Sequence, residues 1–238
     1  MIYNVADVLH SLRAEGNPRN VEGMARYGIK PAKAYGVAAP SIHRLVRDIG
    51  KDHKLALRLW STNIHEARIV AALIAEPHRV TKSLMNNWVK EFDNWAVCDC
   101  ACCYLFDKTA FAIESALAWT KRKEEFVKRA GFVVMAALAV HDKDASDATF
   151  LKFLPVIAQG ATDERNFVRK AVNWSLRQIG KRNRTLNAAA IRAARKIRSM
   201  DSSSARWISA DALRELESKA VRRRLLKKEK RKQAHRMR

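Results

Sequence analysis

Glycine and proline are scarce in this chain, eight and five in 238 residues. A β-rich protein needs frequent turns, and so little turn chemistry argues against one. Long apolar runs are missing too. The longest, Gly131–Val140, is too short for a bilayer, which takes roughly 20 residues to cross. The first ten residues hold no basic segment followed by an apolar stretch, so no secretory leader is expected. Cysteine occurs four times, always between Cys98 and Cys103. Cysteines so close together cannot staple distant parts of a fold, which fits a reducing compartment: the cytoplasm, or the nucleoid of a bacterium. No Walker loop, Rossmann glycine pattern, His-Glu-x-x-His or paired Cys-x-x-Cys motif occurs. Acidic residues are the last shortage, with 24 Asp and Glu against 46 Lys and Arg.

What is present points to helices. Hydrophobic residues make up 48% of the chain, enough to bury a substantial core. Alanine, leucine and arginine are abundant, and all three favour helix. Apolar residues recur at helical spacing almost from end to end. The pattern predicts helices over 5–15, 19–27, 41–49, 55–61, 64–76, 83–92, 96–106, 110–120, 124–141, 148–159, 164–180, 185–199 and from 205 onward. Pro40 suits a first helical turn, and Thr162-Asp163 suits a start at Glu164. The run Phe126-Val127-Lys128-Arg129-Ala130 is echoed by Phe167-Val168-Arg169-Lys170-Ala171. Their offset of about 40 residues is the period of two-helix HEAT or armadillo-type repeats. The expected fold is therefore all-α, a curved solenoid of HEAT-like two-helix repeats over residues 1–218. Residues 219–238 are expected to form a basic tail, flexible or partly helical.

The net charge is +22. Such an excess repels itself unless a polyanion is near, and a phosphate backbone is the usual one. The tail alone does not explain it. Residues 219–238 hold eleven Lys or Arg and one acid, Glu229, which leaves a net +12 on the rest. In a solenoid the second helix of each pair lines the inner face. Arg68, Arg129, Arg169, Lys170 and Arg206 lie on such helices, and would there contact phosphates without reading bases. Ordinary solvated helix faces are the plain alternative.

The cluster Cys98, Cys100, Cys102, Cys103 suggests a metal site at first sight. On a helix, residues two apart point to different flanks and no histidine is close, so core packing is the expected role and no metal is expected. The segment Asp93-Asn94-Trp95-Ala96-Val97-Cys98-Asp99 is more informative. Trp95 and Asp99 are four apart, so a helix puts them on one face. An acid within a small, apolar helix is costly to bury unpaired. It is either one half of a structural ion pair or a working carboxylate.

Trp95-x-x-x-Asp99 is followed by Lys128-Arg129-Ala130 and by Lys170-Ala171-Val172-Asn173-Trp174. It is preceded by Met24-Ala25-Arg26-Tyr27, then Tyr35-Gly36-Val37 and Pro40. This ordered set, spread over residues 24–177, resembles the AlkD-type DNA alkylation repair glycosylases. The resemblance implies an all-α stack of HEAT-like repeats that cradles DNA and releases N3- and N7-alkylated purines without flipping the base. It implies that Asp99 is the catalytic carboxylate, with Trp95 and Trp174 as aromatic walls of the lesion cleft. Arg129 matches a cleft arginine near the lesion backbone and Tyr27 a cleft tyrosine. Arg68, Arg169, Lys170, Arg177 and Arg206 complete the expected DNA contacts. Double-stranded DNA with alkylated bases is the expected partner of a monomer that needs no cofactor.

Each assignment has a plain structural alternative. Trp95 and Trp174 could be solenoid core, as Trp60, Trp88 and Trp119 are expected to be. Asp99 and Arg129 could form a buried ion pair between repeats. A duplex- or junction-binding protein of the same fold, without catalysis, is the competing function.

Overall fold

The computed structural model describes residues 3–236, with side chains through residue 231. The described residues form helices α1 (Val5–Ala14), α2 (Pro18–Arg26), α3 (Ala39–Ile49), α4 (His53–Trp60), α5 (His65–Ile74), α6 (Lys82–Lys90) and α7 (Trp95–Tyr104). Then come α8 (Ala112–Trp119), α9 (Glu125–His141), α10 (Asp147–Gly160), α11 (Asn166–Gly180), α12 (Arg184–Arg198), α13 (Ser203–Leu216) and α14 (Lys219–Arg236). Short 3-10 turns cover Pro77–Arg79 and Phe106–Lys108, and no strand occurs among the described residues. The chain is all-α, as its composition and periodicity indicate. Asn4, Asn17, Asp52, Thr81, Asn94, Asn183 and Ser202 cap helix starts, each accepting hydrogen bonds from backbone N–H groups of the first turn.

Most helix ends fall within two residues of expectation, and two of the differences have a clear side-chain cause. The helix expected from Glu164 starts at Asn166. Asp163 is occupied by the backbone N–H and the guanidinium of Arg165, and Glu164 turns away to another helix. The helix expected from Ala205 onward is interrupted at Glu217 and Ser218, at the edge of the expected basic tail. There Ser218 Oγ accepts the N–H of Val221 and starts α14 afresh.

The contacts divide the chain into two compact units, Met1–Ala112 and Ile113–Arg238. In the first, α5 is the hub and packs against α1, α3, α4 and α7. Trp60 stacks on Trp88 with ring centroids 3.9 Å apart, and Phe92 and Phe106 extend this cluster. Trp60, Trp88 and, in the second unit, Trp119 are core residues, as expected. The α2–α3 linker is held by one buried carboxylate. Glu66 accepts the N–H groups of Tyr35, Gly36 and Val37 at 3.0, 2.7 and 3.3 Å. Gly36 has φ +74, and a side chain there would meet the carbonyl of Asn17.

In the second unit, α9, α11 and α13 pack in one row, and α12 joins α10 in another. Four polar contacts link groups 38 residues apart: Arg129 to the Phe167 carbonyl, Asn173 to Asp211, Arg177 to Glu215, and Ser202 to Glu164. They join each second helix of a pair, or the turn leading into it, to the next. The C-terminal helix α14 docks through Val221 and Leu225, which are buried. Lys228 Nζ donates to the carbonyls of Lys181 and Arg182 at 2.9 and 3.3 Å.

Helix α8 crosses α9 at Gly131. A Cβ there would lie 2.8 Å from the Ala116 carbonyl oxygen and the Thr120 backbone nitrogen. Neither is a side chain that can swing aside. Gly131→Ala should destabilise the protein by about 1–3 kcal/mol through overpacking, read as a lower urea midpoint with little change in slope. An unchanged midpoint would show that the two helices can separate at no cost.

Candidate nucleic-acid interface

In the first unit, the candidate site is built on α7. Asn94 is fully buried and caps this helix, its side-chain oxygen accepting from the N–H groups of Ala96 and Val97. Its amide nitrogen lies 2.6 Å from Asp93 Oδ1 and 3.4 Å from His65 Nδ1. Burial lowers the pKa of His65, which favours the neutral imidazole. With its start pinned, α7 turns Val97, Cys98, Ala101 and Cys102 into the core. The opposite stripe carries Trp95 and Asp99, one turn apart and both half-buried.

Trp95 Nε1 donates to the backbone carbonyl of Tyr27 at 2.9 Å, across 68 positions of sequence. Two expected site residues are thereby brought together. Tyr27 ends α2 with its side chain 72% exposed, so its phenol is open to solvent.

The cysteines on α7 behave as core. Cys98 and Cys102 are fully buried. Burial, helped by the charge of Asp99, pushes the Cys100 thiol up to about 12 and raises that of Cys103 as well. Such thiols stay protonated at neutral pH and make poor ligands or nucleophiles. Among the described residues, no group of three or more His, Cys, Asp or Glu is placed to hold a metal ion.

The expected DNA-contacting cations do not all reach the surface. Arg68 is a correction: it is 6% exposed and lies over the Trp60 ring. Its guanidinium donates to Glu91 Oε2 at 2.6 Å, to the Glu91 carbonyl and to Asn63. Arg129 is likewise 6% exposed, with Nη1 donating to the Phe167 carbonyl at 2.6 Å, so it is a tie between α9 and α11 rather than an open surface cation. Arg177 lies between Glu215 and Asp211, at 3.0 and 3.3 Å, and its charge is compensated.

The exposed cations of the set are Lys170 and Arg206, the latter beside the exposed Asp201 at 3.5 Å. Arg169 is half-buried, with its guanidinium 5.1 Å from the ring centre of Trp207. Trp174 is half-buried on α11. The sequence reading missed Trp207, which is 39% exposed. It lies about 40 residues after Phe167, the period already visible in the earlier pair.

Carboxylates brace the starts of α9, α11 and α13. Asp163 holds Lys128 at 2.9 Å and Arg165 at 2.6 Å. Burial opposes its charge, but hydrogen bonds from Arg165 and Lys128 outweigh this and hold its pKa at about 2. Glu164 accepts from the Ser202 and Ser203 hydroxyls at 2.7 and 2.6 Å and from the Ser204 N–H. Donation by Ser203, then Ser202, holds its pKa at about 2.

Comparison with known proteins gives two findings. The profile of a family described as DNA alkylation repair enzyme matches residues 8–216. A solved structure described as "a new family of proteins related to the HEAT-like repeat DNA glycosylases with affinity for branched DNA structures" superposes with a TM-score of 0.77. It covers 94% of this chain and 96% of its own at 18% identity, a likeness of fold. No curated protein matches the sequence. No described helix is long and apolar enough to cross a membrane.

A carboxylate held below its unfolded pKa stabilises the fold above the unfolded value and loses that effect as pH falls through the folded one. For Glu164 this window runs from the ordinary 4.5 down to about 2. Stability of the wild type should therefore decline as pH drops from 4.5 to 2. Glu164→Gln should be less stable at pH 7 and less dependent on pH across that window. Parallel wild-type and Glu164→Gln melting curves from pH 7 to 2 would exclude this brace.

Proposed function

The chain belongs to the DNA alkylation repair enzyme family, and on that premise we propose that it is a glycosylase that hydrolyses the N-glycosidic bond of N3- or N7-alkylated purines in duplex DNA. The observation that carries this reading is the stripe on α7: Asp99 lies one turn beyond Trp95, and Trp95 is held by the Tyr27 carbonyl.

Alkylation at N3 or N7 makes the purine cationic and a good leaving group. As the bond from C1′ to the base breaks, its electron pair neutralises the base and positive charge develops on the sugar. The Asp99 carboxylate stabilises that charge and orients the water that adds to C1′, whose proton is released. The Trp95 face attracts the cationic base and packs on sugar C–H groups. Trp174 offers the same kind of surface on the second unit. Lys170 and Arg206 hold phosphates, and Arg129 keeps the first turns of α9 and α11 in register. None of these groups is a Schiff-base lysine, so the product is an abasic site in an unbroken strand.

A second reading, DNA binding without excision, is favoured by one observation: the solved relative of the same fold is described by its affinity for branched DNA.

The first test is base release from a duplex carrying N7-methylguanine, with strand breakage appearing only after alkali. Asp99→Asn then separates the readings, because it keeps the side chain's size and removes its charge. Excision should drop by roughly a hundredfold or more, the effect of losing one key electrostatic group. DNA binding and melting temperature should hold. If Asp99 is purely structural, the variant instead loses stability, by about 3–5 kcal/mol if its partner is a buried cation. A stable Asp99→Asn protein with wild-type excision removes the mechanism.

A further inference from the structure

The densest uncompensated charge lies at the C-terminal end of the second unit, away from the cations assigned above. On α14 the buried positions Val221 and Leu225 face the body, with Lys228 and Glu229 beside them. The remaining arc carries Arg222, Arg223, Arg224, Lys227, Lys230 and Arg231, all exposed, and Leu226 is the one large apolar residue among them. No ion pair joins any of these six to an acid among the described residues. Glu229, the acid of this helix, is engaged by Arg184 at 3.4 Å. The adjacent helix α12 contains no acid and adds exposed Arg192, Lys196 and Arg198.

This surface is separate from Lys170 and Arg206. Lys228 anchors α14 at Lys181 and Arg182. Lys181 is roughly 16 Å along α11 from Lys170, at about 1.5 Å per residue. Between them two carboxylates engage the intervening cations: Arg177 lies on Asp211 and Glu215, Lys181 on Glu215, and Arg214 on Asp211, which leaves a single net positive charge. A belt of ion pairs thus divides two cationic zones.

We propose that α14, with α12, is a second phosphate-backbone site that takes a second DNA duplex while the first zone holds another; the inference rests on the reading that this protein works on DNA. From Arg222 to Arg231 the helix spans about 14 Å. A duplex carries one phosphate per roughly 3.4 Å of axis on each strand, so this length spans about four phosphates per strand. The sequence of α14 holds no Phe, Tyr or Trp. It therefore lacks the stacking platforms that single strands use, and a duplex is the partner it fits.

The test uses the full chain and a variant in which Arg222, Arg223, Arg224, Lys227, Lys230 and Arg231 are all glutamine. Glutamine keeps helix propensity and leaves the docking residues intact. A bead-bound duplex is loaded with protein, and capture of a second, fluorescent duplex is measured against salt. The wild type should capture it. The variant should lose capture by roughly tenfold or more, with the salt slope falling by about 0.9 per lost phosphate contact. Melting temperature and base release from a single methylated duplex should be retained. A milder variant, with Arg223, Lys227 and Lys230 as glutamine, should lie between the two, which separates a surface effect from unfolding. Undiminished capture by the six-site variant, or no capture by the wild type, overturns the proposal. So does a variant that loses binding to phosphatidylglycerol vesicles but captures the second duplex normally, which would assign the surface to a membrane. Failure of base release with intact, α14-dependent capture would remove the glycosylase reading and leave this one standing.

Discussion

Register between helix pairs is the constraint on which the second unit depends. A two-helix unit cannot bury its apolar face alone, so neighbours must stack. Apolar burial is non-directional and tolerates sliding. The polar contacts at 38-residue separation do not. Arg129 has one acceptor position on the Phe167 carbonyl, Asn173 one on Asp211, and Arg177 one on Glu215. Displacing one helix along the next would leave several buried polar groups without partners, which is costly. Glu164 adds a fourth rung by accepting from the first residues of α13. Lys170 and Arg206, on the helices this ladder joins, inherit their positions from it.

Charge in this protein therefore does two jobs. Part of the +22 is structural. Arg68 closes over Trp60, Arg129 spans α9 and α11, and Arg182 lies 4.2 Å from the Phe150 ring centre while donating to the carbonyls of Ala139 and Ala145. Arginine suits such places because its planar fork satisfies several acceptors and stacks on rings. Of the cations assigned to DNA, those left for a polyanion are a subset, on the early turns of α11 and α13 and on α12 and α14. Formal charge alone overstates the first zone and hides its separation from the second.

The flank of α7 that carries Asp99 is set by backbone chemistry at the start of the helix. Asn94 decides where α7 begins, and that start decides which flank Trp95 and Asp99 share. The Trp95–Tyr27 hydrogen bond then fixes the indole against the end of α2. Glu66, by gathering three N–H groups of the following linker, keeps the chain leaving α2 in place. A site of this kind tolerates a variable surface provided its caps and clamps persist.

Sequence alone determined the all-α class, most helix spans and the repeat of about 40 residues, because helical periodicity and capping are local properties written in neighbouring residues. It also put Trp95 and Asp99 on one face, since a separation of four needs only a helix. It could not separate exposed from committed arginines. Arg68 and Lys170 look alike in sequence, yet one is buried under Glu91 and Asn63 and the other faces solvent. The break at Ser218, the docking of α14 and the meeting of Trp95 with Tyr27 were decided by tertiary structure. Each depends on a hydroxyl, an apolar pair or a carbonyl finding a partner that local pattern does not specify, and only stacking brings groups 38 or 68 positions apart within hydrogen-bonding distance.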